Sequence, residues 1–169
     1  AIHVTFVDEA QQFVNSHDAH YLAQCRSHKG CMVYLTQSLH SYYSAMQGEK
    51  GRHHADALLT NFHHKVFHAL GDVQTAEWAS GLIGKELMTF VGGSMSPSES
   101  AYDELMGRSR YTGSFNQHFE KVLQDNVFMN GLRTGGHVNG LVCDAYVIRS
   151  GEPFTNGQNF LLTSFSQRG

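Results

Sequence analysis

The sequence predicts an α/β fold in which parallel strands are flanked by helices, with an antiparallel hairpin at the C-terminal end. Three observations predict it. Short apolar runs alternate with helix-like stretches as far as residue 91. Those runs are nearly continuous, the pattern of parallel strands buried on both faces. Segment 141–167 differs in kind, with two apolar runs around a Gly/Pro/Asn turn, the mark of a hairpin.

Taken in order, Ile2 to Val7 is dense in Val, Ile, Thr and Phe and reads as a strand. Asn15, Ser16 and Asp18 can cap a helix that runs to about Lys29, where Gly30 stops it. CMVYLTQ, 31–37, is a second apolar strand with a polar end. Ser38 to Met46 is helical, GEKGR (48–52) is a turn, and a further helix covers about His54 to Phe62. HKVFHAL, 64–70, is a third strand stopped by Gly71 and Asp72. Ala76, Ala79, Leu82 and Ile83 recur at helical spacing within Thr75 to Ile83, and Gly84 ends that helix. Residues 92–116 are rich in Gly and Ser and read as a mobile connection with one helix, Glu99 to Met106. Phe115 to Gln124 is predicted helical. LVCDAYVIRS (141–150) and NFLLTSFSQ (159–167) form the hairpin. No internal repeat is present.

Composition narrows the function. The 169 residues are 41% apolar, enough for a core, and only 16% charged. A net charge of −3 argues against a basic field over the whole chain, so nucleic acid would have to be met by a local patch. No apolar run approaches the roughly 18 residues of a membrane span, and there is no signal-peptide pattern. Cys25, Cys31 and Cys143 fit no zinc spacing and read as reduced cytosolic thiols.

The chemistry starts at the first strand, whose apolar run ends abruptly in Asp8 and Glu9. Parallel strands deliver their carboxyl ends to a crevice where ligands bind. An apolar strand ending in Asp-Glu has the Walker B form of P-loop ATPases. There the first carboxylate sits near the magnesium that bridges nucleotide phosphates, and the second can polarise the attacking water. A solvent-facing acid pair is the ordinary reading of an isolated match. The second strand ends in Thr36, Gln37 and Ser38, so Gln37 would lie beside the two acids if the strands are neighbours. Its amide both donates and accepts, which suits it to hold a water or sense a phosphate. An N-cap role for Ser38 is compatible with this.

Three stretches together, FVDEAQQF, QCRSHKGCMVYLTQSL and LLTNFHHKVFHALGDVQTAEWASGLIGK, resemble the ATPase domain of conjugative coupling proteins. These are hexameric motors that pump DNA in plasmid transfer and type IV secretion. The resemblance covers about residues 3–90 and extends more weakly to the C-terminal stretches. It implies the C-terminal part of a RecA-like P-loop ATPase core, with ATP and Mg²⁺ as cofactors of the full-length parent. Asp8 would be the magnesium-associated carboxylate, Glu9 the catalytic glutamate and Gln37 the sensor. Arg26, in R-x-x-x-G, would be an arginine finger reaching the neighbouring subunit's nucleotide; otherwise it is a helix-end cation. Asn61, Lys65, Asp72, Thr75 and Glu77 also fit the family pattern, with structural roles as their simplest explanation. The implied partners are DNA, further copies in a homo-hexamer, and relaxosome or secretion-channel proteins. The implied location is cytoplasmic, at the inner face of a bacterial inner membrane, with any membrane anchor of the parent outside these residues.

One part of the pattern is missing. A P-loop needs G-x-x-x-x-G-K-[ST], and the single Gly-Lys pair, Gly84-Lys85, is followed by Glu86 and ends a helix. The expectation is therefore that 1–91 is the Walker B half of the core, 92–116 a flexible connection and 117–169 a C-terminal extension. By itself the chain is expected to bind ATP poorly and to hydrolyse none.

Two alternatives compete. His53, His54, His63, His64 and His68 invite a metal site, but neither strand nor helix spacing gives three convergent ligands. A non-catalytic interaction module could use the hairpin and GLRTGG, where Arg133 could contact nucleotide or DNA and Gly135 and Gly136 would let backbone approach an anion; a tight turn leading into a strand is the ordinary reading of that stretch. Arg108, Arg110 and Tyr111 form a thin candidate patch for DNA. Trp78, Phe62 and Phe67 read as core.

Overall fold

The computed structural model describes residues 1–25, 27–46, 50–96 and 110–168. The chain divides into two compact units, one formed by Ala1–Ile83 with Leu123–Gly169 and the other by Gly84–Val122.

The first unit begins with β1 (His3–Val7) and β2 (Gly30–Tyr34), which pair in parallel with His3 opposite Gly30 and Val7 opposite Tyr34. Between them lie a 3-10 turn (Ala10–Gln12) and α1 (Asp18–Cys25). Asn15 and Asp18 set the start of α1: the Asn15 side chain accepts from His17 N, and Asp18 Oδ2 accepts from Asn15 N at 2.8 Å. α1 stops at Cys25, short of the expected Lys29, and Gly30 opens β2. α2 (Leu39–Ala45) is capped by the Ser38 hydroxyl, which accepts from Ser41 N, and α3 is Gly51–Thr60. Leu22, Tyr42, Met46, Ala55 and Leu58 make a core beneath Val7, Met32 and Tyr34. Burial pushes the Tyr42 phenol up to about 12. The opposite face of β1 is not covered among the described residues: Ile2 is 73% and Phe6 71% exposed. Helices therefore cover one face of this pair, and the sequence had predicted both.

β3 (His64–Phe67) corrects the expected parallel set. It pairs antiparallel with β6 (Val142–Arg149), and β6 pairs antiparallel with β7 (Phe160–Ser166), giving the order β3-β6-β7. The expected hairpin is thus present, with β3 as its third strand. An apolar run states that a strand is buried but not which strand it pairs with. β6, paired on both edges, is the most buried of the three. α4 (Val73–Ile83) and α5 (Asp125–Asn130) pack beside this sheet through Phe67, Ala76, Ala79, Ile83, Phe128, Tyr146 and Ile148. Trp78 meets Phe67 edge-on at 5.6 Å and Phe62 packs on Tyr34 at 5.0 Å, so these aromatics are core as expected.

The second unit is a long antiparallel ribbon, β4 (Lys85–Ser96) against β5 (Arg110–Lys121). The sequence predicted a helix over Phe115–Gln124, and the structure replaces most of it with strand. Phe115, Phe119 and Val122 fit helical spacing, but Phe115, Gln117 and Phe119 also share one strand face, opposite Val91, Thr89 and Leu87. The expected helix Glu99–Met106 lies outside the described residues. Among the described residues, no helix is long and apolar enough to cross a membrane.

Candidate functional site

The carboxyl ends of β1 and β2 meet. The backbone continues the parallel pairing just past the strands: Leu35 N donates to Val7 O, and Ala10 N to Leu35 O, both at 2.9 Å. Between those bonds the chain turns through Glu9 in a left-handed conformation, φ 49° and ψ 46°. For an L-residue other than glycine this costs about 1–2 kcal/mol, the kind of strain that gathers at functional sites.

That turn points the Glu9 carboxylate at the tip of β2. Gln37 Nε2 donates to Glu9 Oε1 at 2.8 Å. Gln11 Nε2 donates to Glu9 Oε2, and the Thr36 hydroxyl donates to Gln11 Oε1 at 2.8 Å. Asp8 is exposed and Glu9 half-buried; Asp8 Oδ1 accepts from Glu9 N at 2.9 Å. Asp8, Glu9 and Gln37 are thus brought to one edge of the sheet. The Gln11–Thr36 contact was not anticipated: both residues lie in stretches that carry the resemblance, but the sequence assigns neither a role, and only the turn after Glu9 aims Gln11 back at β2.

Mg²⁺ is commonly held by one or two carboxylates together with phosphate oxygens and water. Asp8, exposed at the strand end, is a donor of the type that fits that role, whereas both oxygens of the half-buried Glu9 carboxylate accept from amides. Among the described residues there is no group of three or more His, Cys, Asp or Glu able to hold a metal by themselves. His64 and His68 go to separate partners: Arg149 Nε lies 3.2 Å from His64 Nε2, and His68 Nδ1 lies 3.1 Å from Asp144 O.

Arg26 lies outside the described residues, as does Arg108, and the side chains of Arg110 and Tyr111 are not described. Arg133, half exposed, is engaged within the chain. Its Nε and NH2 grip both oxygens of Asp144 at 2.8 Å, and Ser164 Oγ donates to the same carboxylate at 2.7 Å. The guanidinium bond and the Ser164 bond hold the Asp144 carboxyl well below the usual carboxylate range. The glycine pair likewise serves an internal contact. Gly136 N donates to Gln167 Oε1 at 2.7 Å, and a Cβ at Gly135 would meet the Gln167 amide at 2.6 Å.

The remaining family-pattern residues hold the frame. Asp72 caps α4, accepting from Gln74 N at 3.2 Å and Thr75 N at 3.0 Å. The hydrogen bond from the Thr75 hydroxyl lowers the Asp72 pKa. The same hydroxyl oxygen accepts from Leu39 N at 3.0 Å, joining the start of α4 to the start of α2. Asn61 Nδ2 donates to Ala19 O at 2.9 Å. Lys65 donates to Phe62 O and lies over the Trp78 ring.

The fold is a mixed α/β chain with parallel and antiparallel sheets and an acid–amide cluster at its parallel strand ends. Residues 3–126 match the family described as the TraM recognition site of TraD and TraG. That is most of the chain, which therefore belongs to this family of conjugative coupling proteins. A solved bacterial conjugative coupling protein, TrwBdeltaN70 in an unbound monoclinic form, is similar in fold, with a TM-score of 0.60 at 17% identity. The match covers 98% of this chain and 32% of that one, so the chain spans about a third of that relative's length. No curated protein sequence matches the chain.

Proposed function

We propose that these residues are the Walker B half of a RecA-like ATPase core in an ATP-driven, DNA-translocating coupling protein. The observation that carries the reading is the Gln37–Glu9 hydrogen bond across the tips of two parallel strands. A longer protein would supply the phosphate-cradling loop that the sequence lacks. When bound, Mg²⁺ would neutralise phosphate charge, with Asp8 as its nearby carboxylate. Glu9 would take a proton from the attacking water as the water oxygen bonds to the γ-phosphorus and the bond to the ADP oxygen breaks. Gln37 would report on the γ-phosphate, and Arg26 would reach the neighbouring subunit's nucleotide in a hexamer. The site would work at the cytoplasmic face of the bacterial inner membrane, on DNA brought by a relaxosome protein of the TraM kind.

The test is hydrolysis by the longer protein that carries these residues. Magnesium-dependent turnover, raised by DNA and abolished by Glu9→Gln, is expected. Turnover that survives Glu9→Gln contradicts the reading.

One observation favours a second role, partner binding. The β4–β5 ribbon, inside the matched residues, leaves Phe115 76% and Phe119 68% exposed on one face. A ribbon of two strands is marginally stable alone, and an apolar face on it suits a protein partner. Phe115→Ser with Phe119→Ser is expected to weaken binding of the TraM-class protein and to spare hydrolysis. Unchanged binding removes the ribbon from that role.

A further inference from the structure

Gln11 and Thr36 have no part in the hydrolytic reading, yet they complete its geometry. A carboxylate held at one oxygen turns readily, because the terminal torsion of Glu is broad. Glu9 is held at both, by Gln37 on Oε1 and by Gln11 on Oε2. The Thr36 hydroxyl occupies the oxygen of the Gln11 amide and so leaves its nitrogen to face Glu9. Thr36 and Gln37 are adjacent, and Glu9 and Gln11 are two residues apart across the left-handed turn. The four side chains therefore close a ring between the two strand tips. Each carboxylate oxygen accepts about two hydrogen bonds, so one donor apiece still leaves room for water.

We infer that Gln11 is a positioning residue for the Glu9 carboxylate, with Thr36 setting the direction of its amide. The inference rests on the reading of Glu9 as the base for water. It follows from the ring that losing Gln11 frees the carboxylate to rotate and lowers its share of productive orientations, without touching the nucleotide.

The test has two arms. In the 169-residue chain, the side-chain amide resonances of Gln11 and Gln37 are followed by NMR without nucleotide, and Glu9→Ala is expected to shift both. In the longer protein, Gln11→Ala is expected to lower kcat by about tenfold, within the range that misplacement of a reacting group can cause, with KM for ATP unchanged. Thr36→Val should act in the same direction and less. Gln11→Glu is the discriminating variant. Its carboxylate repels Glu9 at neutral pH, whereas its protonated form can donate to Glu9, so its activity relative to wild type should rise as pH is lowered. A residue that merely supports the fold gives no such profile. Wild-type kcat and pH profile in Gln11→Ala and Gln11→Glu, in a protein that Glu9→Gln inactivates, overturn the inference. Unmoved Gln11 resonances in Glu9→Ala overturn it too. Full turnover by Glu9→Gln overturns the hydrolytic reading itself, a separate result.

Discussion

Gln37 crosses from the tip of β2 to Glu9 at the end of β1, donating from Nε2 to Oε1 at 2.8 Å. Gln37 is exposed, so the bond contributes little to stability, about 0.5–1.5 kcal/mol at most. Gln37→Ala should therefore leave the thermal midpoint of the 169-residue chain within a few degrees of wild type. The same variant should lower ATP turnover in the longer protein. A large loss of stability with unaltered turnover would make Gln37 a framework residue.

Thr75 joins two helix starts, and its removal should be felt in both. The side chain is 5% exposed, donates to Asp72 and accepts from Leu39 N at 3.0 Å. Thr75→Val keeps the shape and removes both bonds. The expected loss is about 1–3 kcal/mol, the cost of leaving a buried donor unpaired. Urea unfolding of wild type, Thr75→Val and Thr75→Ser checks this, with Ser expected to recover most of the loss.

The Arg133–Asp144 pair makes stability depend on acid. Arg133 and Ser164 depress the Asp144 carboxyl, so its folded pKa lies below the unfolded value of about 3.9. Its contribution is present above that unfolded value and is lost as pH falls through the folded one. Asp144→Asn should be less stable at neutral pH and flatter in its response between about pH 4 and pH 2. Arg133→Lys should not restore the pair, because an ammonium cannot grip both oxygens in a plane. Thermal melts across that range decide the point.

Gly135 tests the close approach of Gln167. It has φ +83°, and an added Cβ would lie 2.6 Å from the Gln167 amide. Gly135→Ala should cost about 1–2 kcal/mol from the left-handed backbone alone, plus the displacement of Gln167. Gln167→Ala also loses the bond from Gly136 N, so the second part is read from a double-mutant cycle: Gly135→Ala should cost less in the Gln167→Ala background than in wild type. An equal cost in the two backgrounds would mean that the contact has no strain to relieve.

The parts of the fold carried by local chemistry were legible in the sequence. Val, Ile and Thr marked β1, Ser38 marked the start of α2, and Ala76, Ala79, Leu82 and Ile83 marked α4, while the Asp72 cap was read only as the end of a strand. Pairing was not legible, because it is decided by distant residues: β3 meets β6 more than seventy residues later in the chain. The ribbon was missed for a different reason. Phe115 and Phe119, four residues apart, satisfy a helical period as well as a strand's, and only β4 opposite decides between them. In the site, the acids and Gln37 were legible as a motif and a strand end. Gln11 was not, since its role depends on the left-handed turn at Glu9, which Glu rarely adopts. The Arg133–Asp144 pair was not legible either, since the two residues lie eleven positions apart and only the fold brings them together.

The most direct measurement is single-turnover hydrolysis of magnesium-ATP by the longer protein, wild type against Glu9→Gln, with nucleotide binding measured in parallel. The expected result is retained binding and a chemical step slowed by about 10²–10⁴-fold, the usual contribution of a positioned base. An unchanged rate in Glu9→Gln, with nucleotide bound, would contradict the assignment of these strand tips to a hydrolytic site.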